Sequence, residues 1–173
     1  MTRYAALLRG INLPRYKRVS MAELRTLVEG LGHVDVKTVV QSGNVVFSTG
    51  RRGVHALAKE LEHAIDSKLG LDVRVLVRSQ SDLRKVIEAN PMPEAAADPA
   101  RFHVVFLSAS PKAPGLDPAA VAPDEFRFGA GVVYAWYRSG IQESKLAGLL
   151  TDKRLGVVAT SRNWNTVNKL ASA

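Results

Sequence analysis

The stretch Val34-Asp35-Val36-Lys37-Thr38-Val39-Val40-Gln41-Ser42-Gly43-Asn44-Val45-Val46-Phe47-Ser48 decides the fold. Val34, Val36, Thr38 and Val40 recur at every second position, the period of a strand. Gln41 to Asn44 carries the Gly-Asn pair of a chain reversal, and Val45 to Ser48 returns, so the stretch reads as a β-hairpin. A helix flanks it on each side. Upstream, Ser20 and Glu23 stand at capping-box spacing, and Met21, Leu24, Leu27, Val28 and Leu31 follow at helical period as far as Gly32. Downstream, Val54, Leu57, Ala58, Leu61 and Ile65 mark a second helix that stops near Gly70. Outside the helices lie two further strands, Tyr4 to Leu8 and the alternating Val73, Val75 and Val77. Residues 1–78 therefore read β-α-β-β-α-β, the ferredoxin-like split motif.

The remainder repeats the pattern more loosely. A helix from Ser81 puts Leu83, Val86 and Ile87 on one face and stops at Pro91, and Pro91 to Pro99 is rich in Ala and Pro. Residues 79–101 thus read as a helix and linker between a first subdomain, 1–78, and a second, 102–173. In the second, Phe102 to Leu107 is a strand and one helical turn falls near Ala119. Phe126-Arg127-Phe128 and Val132 to Tyr137 flank Gly129-Ala130-Gly131 as a hairpin. Gln142 to Leu150 is predicted as a helix, Leu155 to Ala159 as a short strand, and Thr160 or Ser161 as the cap of a last helix through Leu170. The expected fold class is α+β, with two ferredoxin-like βαββαβ subdomains in tandem. The two halves show no self-similarity in sequence, so the repeat is one of topology.

Composition narrows the function. The chain has 173 residues, 46% of them hydrophobic and 23% charged, enough to bury a core. Its formal net charge of +8 favours anionic partners, either an anionic small molecule or nucleic acid bound nonspecifically. It has no cysteine, which excludes disulfides and thiolate nucleophiles and fits a reducing, cytoplasmic location. The apolar stretch Tyr4 to Leu8 is cut by Arg9, too short for a secretory core, and no run approaches the roughly 18 residues of a membrane span. The protein is expected to be soluble and to bind no membrane. His33, His55, His63 and His103 lack ligand spacing, and neither a Gly-x-Ser-x-Gly nor a Walker pattern is present. No metal and no cofactor are expected. Glu60 and Glu62 read as a solvated helix face, and no residue stands out as a general base.

The topology itself points to a site. In a βαββαβ unit the end of the first strand, the start of the first helix and the hairpin between strands two and three share one edge. Arg9, Gly10, Asn12, Lys17 and Arg18 are thereby brought toward Gln41, Ser42 and Asn44. Cationic side chains beside free helix N–H groups suit an anion. The competing structural account is a polar corner in which Gly43 and Asn44 supply left-handed turn angles and Arg9 pairs with a carboxylate. A second candidate is Arg162 with Asn163, expected at the start of the last helix, where capping competes with anion binding. Trp164, Val167 and Leu170 share a face of that helix and read as core. An RNA-recognition module would stack bases on aromatics of its central strands, but Ala5-Ala6-Leu7-Leu8 and Val45-Val46 are aliphatic. Tyr134 and Trp136 share one face of the second hairpin with Tyr137 opposite, which leaves one face as core and the other as a stacking platform or an ordinary edge.

Three strings carry a family resemblance: Ala6-Leu7-Leu8-Arg9-Gly10-Ile11-Asn12; Val19-Ser20-Met21-Ala22-Glu23-Leu24-Arg25; and Val40-Gln41-Ser42-Gly43-Asn44-Val45-Val46-Phe47. With the terminal Arg162-Asn163-Trp164-Asn165-Thr166-Val167, the chain closely resembles the family called domain of unknown function 1697 (DUF1697). Where that family often reads Gly-Gly-Lys-Asn, this chain has Pro14-Arg15-Tyr16-Lys17, which keeps the lysine and lacks the glycines of a close phosphate cradle. The resemblance implies a bacterial, soluble protein with ferredoxin-like halves, and it implies no activity.

Two functional classes follow. The first is a non-catalytic module that binds a nucleotide, a phosphorylated metabolite or a nucleic-acid backbone at the Arg9–Lys17–Gln41–Asn44 edge. The second is an enzyme acting on a small phosphorylated or acidic metabolite in the same cleft. The absence of an evident base or nucleophile favours the first.

Overall fold

In the structure, a computed structural model, residues 1–9, 19–40, 43–112 and 115–173 are described. The alternating apolar residues of the first half form β1 (Thr2–Arg9), β2 (Val34–Thr38), β3 (Asn44–Thr49) and β4 (Arg74–Ser79). Between them run α1 (Met21–Gly30) and α2 (Val54–Leu69), and α3 (Gln80–Glu88) follows β4. Ser20 and Glu23 make the expected reciprocal capping box, and Gly70 ends α2 in the left-handed conformation, φ +65°. The strands form an antiparallel sheet in the order β2-β3-β1-β4. Tyr4, Ala6, Leu8, Val45, Phe47, Val75 and Val77 face the helices and pack with Leu24, Leu27, Val28, Leu57, Leu61 and Ile65. Each large aliphatic side chain buried this way contributes about 1.5–3 kcal/mol. On the other face Ala5, Leu7, Val46 and Leu76 are buried too, which explains why these strands are apolar at consecutive positions rather than alternating.

The second half builds β5 (Phe102–Leu107), β6 (Glu125–Gly129), β7 (Val132–Trp136) and β8 (Ala159–Asn163). Its sheet is again antiparallel, in the order β6-β7-β5-β8. Its helices are short: α4 (Pro118–Val121), α5 (Lys145–Leu149) and α6 (Asp152–Leu155), with α7 (Trp164–Ser172) after β8. Val105, Leu107, Phe126, Val133, Ala135 and Tyr137 pack with Val121, Leu146, Leu150 and Leu155. The chain divides into two compact units, Met1–Leu83 with Lys169–Ala173, and Arg84–Asn168. The architecture is therefore mixed α+β with two four-stranded antiparallel sheets.

Three details differ from the sequence reading. The helix expected over Gln142–Leu150 is broken at Ser144, whose extended backbone and hydroxyl cap Ala147 N–H at 3.1 Å, so only a 3-10 turn (Ile141–Glu143) and α5 form. Leu155–Ala159 is not a strand. Thr151 caps Arg154 N–H, Leu155 ends α6, and Gly156 at φ +70° turns the chain so that Ala159 N–H reaches Asp152 Oδ1 at 2.9 Å. The strand begins there, and Thr160 and Ser161, expected to cap the last helix, lie within it. Asn163 is the actual cap, its Oδ1 accepting Thr166 N–H at 2.9 Å. The aromatic hairpin, by contrast, follows the structural account left open for it, core rather than a stacking platform at these positions. Tyr134, Trp136 and Tyr137 are buried, with Tyr134 donating to Val86 O at 2.6 Å and Trp136 Nε1–H to Asp98 Oδ2 at 2.9 Å.

Candidate functional site

The end of β1 meets the start of β3. Leu7 stands opposite Asn44 in the register, and Leu8 N–H donates to Gly43 O at 2.8 Å. Gly43 adopts φ +80°, which glycine permits without strain. Arg9, the last residue of β1, is exposed beside this turn. Asn44 is 1% exposed, and its carbonyl accepts Val39 N–H at 3.0 Å, so it fastens the hairpin. Gly10, Asn12, Lys17, Gln41 and Ser42 lie outside the described residues.

Two features of this edge were not legible in the sequence. Val40 holds φ +56° and is 46% exposed. A β-branched residue in the left-handed region costs of order 1–3 kcal/mol, and such strain clusters at functional turns. The second feature is Arg74, which sits directly opposite Arg9 across the β1–β4 pair. No local signal reveals it, because the register joins residues far apart in sequence. Arg74 Nε lies 3.8 Å from Glu62 Oε1, and that carboxylate also accepts Val75 N–H at 3.0 Å and meets Lys59 Nζ at 3.3 Å. Glu60 is likewise more than a solvated surface charge. It takes the Nε2 of buried His33 at 3.0 Å and pairs with Arg51, tying the end of α1 to α2 and the segment after β3.

The second candidate region differs from expectation. Arg162 lies in β8 opposite Val104 rather than at a helix start, and its Nη1 donates to Thr160 Oγ1 at 2.7 Å and Ser161 O at 2.9 Å. Burial lowers its pKa to about 10, so it stays cationic at neutral pH. Arg78 occupies the corresponding place on β4, opposite Ala5, and burial lowers its pKa against the opposing field of Asp82. Asn163 is committed to its cap. On β5, burial lowers the pKa of His103 while a hydrogen bond to the Arg101 backbone opposes the shift, and its ring meets Tyr137 edge-on at 5.1 Å. Among the described residues no group of three or more His, Asp or Glu side chains is arranged to hold a metal ion. Among them, too, no helix is long and apolar enough to cross a membrane.

Fold and edge together define an α+β protein with two antiparallel sheets and a cationic strand end in the first. The chain belongs to the DUF1697 family of proteins of unknown function, whose model matches residues 1–134. Among solved structures it is similar to a conserved bacterial protein from Streptococcus pneumoniae, with 25% identity and a TM-score of 0.75, over 99% of this chain and 97% of the other. No curated protein matches the chain.

Proposed function

We propose that the protein is a non-catalytic binding module for an anionic ligand, held at the end of β1 beside the β2–β3 turn. One observation carries the reading: the Leu8–Gly43 hydrogen bond fixes exposed Arg9 beside a turn that contains the strained Val40. The net charge of +8 supports it, as does the density of cations in Arg9, Arg15, Lys17 and Arg18. A bacterial cytoplasm is the proposed setting, supported by the lack of cysteine and by the Streptococcus pneumoniae relative.

The scaffold of this module we take to be two ferredoxin-like βαββαβ subdomains in tandem. The strand orders β2-β3-β1-β4 and β6-β7-β5-β8 support it, being the same order shifted by four. Finer details recur as well. Leu8 N–H to Gly43 O in the first unit is matched by Leu107 N–H to Gly131 O, at 2.9 Å, in the second. Ser79 Oγ caps Asp82 N–H after β4 just as Asn163 caps Thr166 N–H after β8.

The test is titration with inorganic pyrophosphate, followed by calorimetry and thermal shift, for the wild type and Arg9→Gln. The expected result is binding that raises the melting temperature and that Arg9→Gln weakens, while the variant's own stability stays within about 0.5 kcal/mol, as for an exposed surface substitution. Loss of folding in Arg9→Gln, or binding that ignores the substitution, overturns the reading.

A further inference from the structure

Arg9 and Arg74 face each other as direct register partners on β1 and β4, and both are exposed. Like charges placed directly opposite on antiparallel strands are destabilising. The fold itself does not ask for them. The equivalent pair in the second unit, one step beyond Leu107 and Ala159 as Arg9 and Arg74 are one step beyond Leu8 and Val75, is Ser108 with Val158. There the two residues simply exchange hydrogen bonds, Ser108 N–H to Val158 O at 2.9 Å and Val158 N–H to Ser108 Oγ at 3.0 Å. The same topological position is thus filled without charge in one unit and with two guanidinium groups in the other.

The carboxylate nearest Arg74 is not its alone. Glu62 brings one negative charge, shared among Arg74 at 3.8 Å, Lys59 at 3.3 Å and the N–H of Val75. Two guanidinium groups on neighbouring strands present planar forks of donors that match the oxygens of phosphate. A ligand with a single negative charge would leave the mutual repulsion of the arginines partly standing. One with two or more charges offsets both.

We infer that Arg9 and Arg74 form a clamp for a phosphate-type oxyanion carrying at least two negative charges, either a free phosphorylated small molecule or successive phosphates of a nucleic-acid backbone. The inference rests on the anion-binding reading above and adds Arg74 as its second arm. Glu62 competes with the ligand for that arm and so sets the affinity.

The experiment titrates the full chain with inorganic pyrophosphate and, separately, with a short oligothymidylate at fixed ionic strength. The proteins compared are the wild type, Arg9→Gln, Arg74→Gln, the double variant carrying both, Arg74→Lys and Glu62→Gln. Each arginine-to-glutamine change is expected to weaken binding about tenfold, with the double variant losing less than the product because the two arms act on one ligand. Arg74→Lys should recover only part of the loss, since a point charge replaces the fork. Glu62→Gln keeps an acceptor for Val75 N–H while removing the competing charge, so it should tighten binding, which a purely structural role would not produce. For the oligonucleotide, the slope of log K against log salt should fall by about 0.7 for each arginine removed. Tighter binding of one probe then identifies the source of the phosphate. If Arg9→Gln loses affinity and Arg74→Gln binds as the wild type does, the clamp is overturned and the anion site at Arg9 stands. If neither substitution alters affinity for either probe, both readings fall. Melting curves keep the outcomes readable, because Arg74→Gln removes both a like charge opposite Arg9 and a half-exposed ion pair with Glu62, small opposing effects that should leave the melting temperature close to that of the wild type.

Discussion

Among the described residues, Val40 is the one whose backbone is least suited to its side chain. Its left-handed φ of +56° crowds a branched Cβ, and nearly half of its surface is exposed. Asparagine tolerates that region, and Val40→Asn is expected to stabilise the protein by about 1 kcal/mol in a denaturant melt. An unchanged or lowered midpoint would mean that the turn relaxes at no cost. His103 supplies a second expectation. Burial, the dominant cause, lowers its pKa in the folded state below the ordinary value near 6.5. The unfolded chain then binds more protons than the native one just below that value, so stability is full above about pH 6.5 and declines as the pH falls through the window beneath it. His103→Gln removes this term. Melts at stepped pH values from about 8 to 5 should show a shallower acid-side decline in the variant than in the wild type.

At the scale of elements, capping residues set the boundaries more than periodicity does. The apolar spacing of Leu146, Leu149 and Leu150 is helical, yet Ser144 starts the helix late because its hydroxyl serves as a cap. Asp152 acts on both sides of Gly156, in the first turn of α6 and as acceptor for the first N–H of β8, an arrangement that no windowed pattern reveals. In α7 the pattern is the better guide. Trp164 is 8% exposed, its ring centroid lies 4.8 Å from that of Phe102, and Val167 and Leu170 are fully buried. Trp164→Ala is expected to cost about 3–5 kcal/mol, a large part of a typical stability of roughly 5–15 kcal/mol. The measurements are soluble yield and melting temperature, and a variant that melts like the wild type would contradict the core assignment.

At the scale of the whole molecule, charge and burial set the range of partners. A net charge of +8 attracts phosphate backbones. Sequence readout on a sheet face needs several accessible aromatics; Ala5, Leu7, Val46, Tyr134 and Trp136 are buried, and Phe128 on β6 is the one exposed ring among the described aromatics of the second hairpin. Any nucleic-acid binding is therefore expected to be nonspecific, with affinities for unrelated oligonucleotides of one length within about a hundredfold at fixed salt. A wider spread, measured by competition, would reveal a reading surface.

By itself the sequence determined the elements of residues 1–83 closely. The hairpin around Gly43, the capping box at Ser20 and the helix from Val54 are local signals, written within a few residues by period, cap and turn chemistry. It also determined the family and the positive charge. In the second half, where α4, α5 and α6 are only four or five residues long, too few turns repeat for periodicity to outweigh a single Ser144, Asp152 or Gly156, and the reading misplaced a strand and a cap. The candidate site divides the same way. Arg9 and the Gly43 turn were legible because β-α-β-β topology forces a strand end and a hairpin to one edge. Tertiary structure alone decided that Asn44 is buried, that Arg162 belongs to a strand, that Glu60 fastens His33, and that Arg74 stands against Arg9. Pairing between strands is set by register, a long-range property fixed by which face of each strand the assembled sheet buries, so no window on the chain contains it.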